Sequence, residues 1–333
     1  MKIPVQKFKT ISKKYLSLFP KGLFYKQGLK KNIIVFASRR GGSTLLYELL
    51  SVDHRVRKIY EPFVLHPGHP ATRIQLKYLP RKEHDIYIEV TPDEKEIIKN
   101  YLEGLLSGKY QEFKFYLSGQ RTVIKIINAL GLINLICQTH DVLPAYMIRH
   151  PISQSLSIIR NNWHLTTDAY LNSVVFREVL LNETQMQEAI SISQKGTHFQ
   201  KCILNWALDN YLPLKKSKTA IENLITYEEL LINSSIILEF LAQKYQISNI
   251  DKMKKRLNHI SSSSRNISTD QTKKLIEHNN IKMLISRWRD EVTERHCKQT
   301  NHILNLFEID AYDAFNLVAA KKYLIYPELI RSL

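Results

Sequence analysis

One segment constrains the fold of this chain more than any other: Asn32-Ile33-Ile34-Val35-Phe36-Ala37, followed without a break by Ser38-Arg39-Arg40-Gly41-Gly42-Ser43-Thr44-Leu45-Leu46. The β-branched and aromatic run reads as a strand buried on both faces, and residues 45–50 read as the start of a helix. Between them, two glycines let the backbone approach an anion closely, and the first N–H groups of the helix point at it. Strand, glycine loop and helix in this order form a phosphate cradle. The loop is not that of a nucleoside triphosphatase. Gly42 is followed directly by Ser43 with no Lys between them, and the cation, Arg40, precedes the glycines. A phosphate-bearing ligand other than a nucleoside triphosphate is expected.

A second motif narrows the choice. Residues 144–148 read as a short buried strand, Arg149-His150-Pro151 breaks it, and residues 152–162 read as a helix carrying Ser153, Ser155, Ser157 and Arg160. An Arg at a strand end and Ser157, about two helical turns further on, can converge on one phosphate. Ser155 falls off that face.

With these two motifs in order, the chain resembles the sulfotransferases that use 3′-phosphoadenosine 5′-phosphosulfate (PAPS), in particular the carbohydrate and bacterial glycolipid enzymes. Arg40-Gly41-Gly42-Ser43-Thr44, with Leu45, looks like their 5′-phosphosulfate loop, and Arg149 with Ser157 like their 3′-phosphate pair. Glu61-Pro62-Phe63 resembles their Glu-Pro motif, and Ile225-Thr226-Tyr227-Glu228-Glu229-Leu230 their late strand–helix junction. Trp206 and Arg287-Trp288-Arg289 resemble their helical tryptophans, so the likeness runs from residue 32 to about residue 310. The chain departs from the pattern at Gly41, where Ser is common, at His150, where Asp or Asn is common, and in having no glycine-rich loop near the C-terminus.

The resemblance implies an α/β fold of P-loop-like type, three layers with a central parallel sheet flanked by helices. It implies sulfuryl transfer from PAPS to an acceptor hydroxyl, on a sugar or glycolipid, by in-line displacement and without a metal. Glu61, a carboxylate at a strand end beside the loop, is the expected general base; its other reading is a salt bridge to a loop Arg. His66 and His69 are rival bases or a surface turn, and they lack partners for a zinc site. Lys125 lies inside the apolar strand Val123-Ile124-Lys125-Ile126-Ile127, where a lysine needs an anionic partner or a function. The resemblance makes it a cation for the leaving-group oxygen; the alternative is a structural Lys facing a sheet edge. Arg39 points either into solvent or toward an anionic acceptor. Arg265, after Ser261-Ser262-Ser263-Ser264, is expected on a loop closing over PAPS. Trp163, Trp206 and Trp288 are expected in the core. The sequons at Asn182, Asn233 and Asn266 read as chance occurrences.

Five runs read as strands, at residues 33–37, 57–60, 122–127, 145–148 and 223–227, each followed by a helix or turn, as βαβ units require. The intervening stretches, about residues 63–121 (with a charged helix near Asp93–Leu106) and 161–201, are the expected acceptor-side insertions of a domain spanning 32–333. Cys137, Cys202 and Cys297 show neither disulfide nor zinc spacing. The net charge of +17 exceeds what one nucleotide needs, and residues 1–31 hold nine Lys and no acid. With Val5, Phe8, Ile11, Tyr15 and Phe19 at near-helical spacing, this basic segment reads either as an amphipathic helix on an anionic membrane or as a helix packed on the domain. The chain has no apolar run of bilayer length and no signal peptide, so a cytoplasmic protein, free or peripheral at the membrane, is expected. Basic residues are not interleaved with base-stacking aromatics, which argues against nucleic acid. A P-loop kinase or nucleotidase, and a non-catalytic basic binding protein of the same fold, stand as alternatives.

Overall fold

The computed structural model describes residues 26–65, 86–88, 90–110, 118–259, 262, 275 and 280–330. The five apolar runs form the strands β1 (Asn32–Ala37), β2 (Val56–Tyr60), β3 (Arg121–Ile126), β4 (Val142–Ile148) and β5 (Leu224–Thr226). They make one sheet, parallel throughout, in the order β2-β3-β1-β4-β5. Every residue of β1 and β3 is buried. Strands wet on neither face need helices on both, and this is the α/β arrangement expected from the sequence.

Helix α1 (Ser43–Leu50) leaves the glycine loop and packs back on β1 and β3. Helix α2 (Pro92–Leu106) starts in a capping box, Thr91 Oγ1 accepting from Glu94 N at 3.3 Å and Glu94 Oε2 from Thr91 N at 2.9 Å. Buried Arg57 donates to Leu105 O in the last turn of α2 and to Tyr110 O beyond its end. Helix α3 (Pro151–Arg160) follows β4, with Pro151 in its first turn, and packs along α4 (His198–Lys216). Helix α5 (Tyr227–Ile232) follows β5, and α6 (Glu294–Leu306) packs on α4.

The connections fix where a ligand can enter. The chain leaves β1 toward β2 on one side of the sheet and leaves β4 toward β5 on the other. Strand order therefore reverses between β1 and β4, and a crevice opens at their carboxyl ends.

The basic N-terminal segment is described only from Lys26, where Lys26–Gln27 pairs in parallel with Ser118–Gly119 and Lys30 and Lys31 pair with Asp53 and Asp141. Val5, Phe8, Ile11, Tyr15 and Phe19 lie outside the described residues. At the other end, Glu229 accepts from the backbone of Ile325 at 2.9 Å and Tyr326 at 2.7 Å, tying the C-terminal tail to α5. Among the described residues, no helix is long and apolar enough to cross a membrane, and no cluster of His, Cys, Asp and Glu could hold a metal.

Candidate active site

Each strand delivers a polar residue to the same end of the sheet. Arg39 and Arg40 follow β1, Glu61 follows β2, Lys125 is the penultimate residue of β3, Arg149 follows β4 and Tyr227 follows β5.

The loop between β1 and α1 turns at Ser38, whose carbonyl accepts from Gly41 N at 3.1 Å. Arg40 (φ 63°) and Gly42 (φ 95°) both have left-handed backbone, which glycine adopts freely but which at Arg40 is a cost sustained only if the surroundings fix it. They do. Gln154 on α3 donates to Ser38 Oγ at 2.8 Å and to Arg39 O at 2.7 Å, and Asn210 on α4 reaches Ser38 Oγ at 3.5 Å. At Gly42 a Cβ would lie 2.7 Å from the Tyr227 ring and 2.8 Å from Met147 Sδ. Gly42→Ala is accordingly expected to cost about 1–3 kcal/mol in urea unfolding, from strain and overpacking together. It should also weaken anion binding, because relief requires the loop to move. Unchanged unfolding and binding would show that the loop does not need this conformation.

Arg40 and Arg149 stand side by side across the crevice. Burial first, and then the Arg149 charge, push the Arg40 guanidinium down to about 10. Arg40 Nε donates to Ser157 Oγ at 2.9 Å, and its guanidinium carbon lies 5.7 Å from the ring centroid of Trp163. Arg149 donates to Ser153 Oγ at 2.7 Å and lies 4.6 Å over the Tyr227 ring. The two serines sit one turn apart on α3, so Ser157 is joined to Arg40 and Ser153 to Arg149. Each cation thus rests between a hydroxyl and an aromatic face. Ser155 is buried away from this face.

The backbone of Arg149 is held from both sides. Trp206 Nε1 donates to its carbonyl at 3.0 Å, and the next amide, His150 N, donates to Glu228 at 2.9 Å. Glu228 also accepts from Tyr312 OH at 2.7 Å. His150 stacks on Trp288 at 4.4 Å, and burial pushes its imidazole down to about 3, so it is neutral at physiological pH.

Beside the start of α1, Lys125 Nζ donates to Glu61 Oε1 at 2.6 Å, Thr44 Oγ1 at 2.9 Å and Tyr60 OH at 2.9 Å. Its side chain is 3% exposed and that of Glu61 12%. Strand β3 is interior to the sheet, which excludes the reading of Lys125 as facing an edge. The salt bridge expected of Glu61 is made to this lysine and not to a loop Arg. Glu61 itself has left-handed backbone (φ 49°), and its amide donates to Lys125 O at 3.0 Å.

Ser43, Thr44 and Leu45 form the buried first turn of α1, with Gly42 as an N-cap that makes no side-chain bond to it. That turn presents amide donors to the crevice. Three features differ from the sequence expectation. Trp206 and Trp288 are core residues, but Trp163 is 36% exposed at the rim beside Arg40. Arg39 acts electrostatically on buried Asp209 of α4, so it faces into the protein. Asn205 and Asp209, four residues apart on α4, are buried behind the loop, bonded to Thr166 and to each other, and were absent from the reading of motifs; their signal is two polar residues one turn apart on a largely apolar helix face. Arg265, His66 and His69 lie outside the described residues.

No protein-family model and no curated protein matches the chain. Among solved structures, it is similar to the sulfotransferase domain of the olefin synthase of Synechococcus PCC 7002. The identity is 14% and the TM-score 0.43, over 86% of this chain and 96% of that one.

Proposed function

We propose that this chain is a sulfotransferase that moves a sulfuryl group from PAPS to an acceptor hydroxyl, on a carbohydrate or glycolipid. The observation that carries the reading is the pair Arg40 and Arg149, two adjacent part-buried cations across the loop crevice, joined to Ser157 and Ser153 of one helix. Like charges held together are an energetic cost that a bound dianion reverses. The loop fits such a group, since Gly42 leaves no space for a side chain and the α1 amides face the crevice. Arg40 and the amides of residues 41–45 would hold the 5′-phosphosulfate, and Arg149 with the α3 serines the 3′-phosphate.

When bound, PAPS supplies the sulfuryl group, and adenosine 3′,5′-bisphosphate is what remains. Glu61 accepts the proton that the acceptor hydroxyl loses as its oxygen bonds to sulfur. Oε1 is engaged by Lys125, so Oε2, which makes no hydrogen bond among the described residues, is the basic atom. Taking up the proton neutralises Glu61 and releases the Lys125 charge to the phosphate oxygen whose bond to sulfur is breaking. One buried ion pair thereby serves both ends of the transfer.

The test is titration calorimetry without magnesium, followed by transfer from labelled PAPS to a panel of sugars and glycolipids. Micromolar binding of adenosine 3′,5′-bisphosphate with much weaker ATP is expected. Magnesium-dependent ATP binding with no bisphosphate binding would replace this reading with a kinase or nucleotidase.

A further inference from the structure

The turn that follows α3 carries Trp163, and both its ends are tied down. At its start Asn161 Nδ2 donates to Ser157 O at 2.7 Å, Trp163 N donates to Ile158 O at 3.2 Å, and Asn162 has left-handed backbone at φ 47°. At its end Thr166 N donates to Asn205 Oδ1 at 2.6 Å, and Thr166 Oγ1 donates to Asp209 Oδ1 at 3.0 Å. Thr167 Oγ1 donates to Asn205 Oδ1 at 3.2 Å, while Asn205 Nδ2 donates to Asp209 Oδ2 at 2.9 Å.

Asp209 is thus a buried carboxylate with hydrogen bonds on both oxygens, and it faces the loop as well as the turn. The groups around it are Arg39 from the loop, Thr166 from the turn, Tyr170 from the helix Thr167–Leu171, Tyr146 from β4 and Asn205 from its own helix. Tyr170 and Thr166 donate hydrogen bonds to it, and Arg39 supplies the positive charge. The residue next to Arg39 is Arg40, and the guanidinium of Arg40 lies against the Trp163 ring. The path closes on itself: loop, Asp209, Thr166, Trp163 and back to the loop.

We infer that Asp209 is a positioning residue that couples the phosphate loop to the acceptor-side turn, so that filling the loop with a phosphate ligand sets Trp163 in place for the acceptor. The identification of the loop's ligand rests on the reading above; the coupling does not. Burial pushes the Asp209 carboxyl up to about 6, so the charge that holds Arg39 is lost within reach of mildly acidic pH. Above that pH the carboxylate holds both elements. Below it the protonated carboxyl no longer attracts Arg39, and the coupling weakens.

The experiment uses the full chain labelled with 5-fluorotryptophan, the Trp163 signal being the one lost in Trp163→Phe. Adenosine 3′,5′-bisphosphate and, separately, inorganic phosphate are the probes. In the wild type, binding of the probe is expected to move the Trp163 signal. In Asp209→Asn, binding should weaken about tenfold and the signal stay still at saturation, as a coupling of ordinary size predicts. Thr166→Val, a near-isosteric change that keeps the carboxylate, should also silence the signal, so the inference stays testable if Asp209→Asn fails to fold. Between about pH 7.5 and pH 5.5 the wild-type affinity should fall more steeply than that of Asp209→Asn, whose remaining fall is that of the phosphate probe taking up its own proton. Binding that leaves the wild-type Trp163 signal unmoved, or variants that respond like the wild type, would overturn the coupling while leaving the sulfotransferase reading intact. A response to inorganic phosphate without bisphosphate binding would sustain the coupling and remove the sulfotransferase. Binding of neither probe would overturn both.

Discussion

Arg149→Ala is expected to weaken adenosine 3′,5′-bisphosphate binding by about 2–5 kcal/mol, from roughly 30-fold to several thousand-fold, the usual cost of removing a charged partner from a desolvated phosphate. The guanidinium is already in its binding position. Ser153 takes one of its N–H groups, Tyr227 covers its face, and Trp206 and Glu228 fix the backbone on either side. Little order remains to be lost on binding, and so most of the interaction appears as affinity. The same preorganisation separates this residue from a mere source of charge. Arg149→Lys keeps the charge but loses the planar fork and the stacking on Tyr227, and it should recover only part of the loss. Ser153→Ala should cost about 1 kcal/mol, the worth of one hydrogen bond. Titration calorimetry of the three variants measures all of this, and an unchanged dissociation constant in Arg149→Ala would remove Arg149 from the site.

The second large effect is kinetic. Glu61→Gln is expected to lower kcat by about 10²–10⁴, the range for loss of a general base, while bisphosphate affinity changes little. A structural role predicts a different pattern. Glutamine leaves Lys125 buried with a neutral partner, so unfolding free energy should also fall, by as much as about 3–5 kcal/mol if the buried charge is wholly uncompensated. Lys125→Met in the Glu61→Gln background tests this, because removing both partners should restore stability but not turnover. A Glu61→Gln enzyme with normal turnover would leave the proton without an acceptor in this site and return the base to residues outside those described.

The strands were legible because a parallel sheet buries both faces and writes continuous apolar runs; β1 and β3 are buried at every position. The strand, glycine loop and helix were legible for a related reason, since only a glycine fits at position 42 against Tyr227 and Met147. Pairings across the site were less so. Spacing put Arg149 with Ser157, two turns on, whereas Ser157 bonds Arg40 and Arg149 bonds Ser153, because which arginine meets which serine is set by how α3 packs against the loop. Lys125 could be flagged from its apolar neighbours, but its partner depends on register, which sets Tyr60 and with it Glu61 beside it. Trp163 was grouped with Trp206 and Trp288 because exposure is a tertiary property, decided here by the turn that Asn205 and Asp209 hold.

The bonds from Glu229 to the Ile325 and Tyr326 amides have a consequence for how the protein is made. Glu228 and Glu229 leave the ribosome about a hundred residues before the donors they are buried with, Tyr312, Ile325 and Tyr326. During that interval the carboxylates must stay hydrated, because burial without those donors is costly. Closure of the sheet at β5 therefore waits until synthesis has passed Tyr326. A premature stop before Tyr312 should yield a product that proteases clear, whatever the state of its phosphate loop.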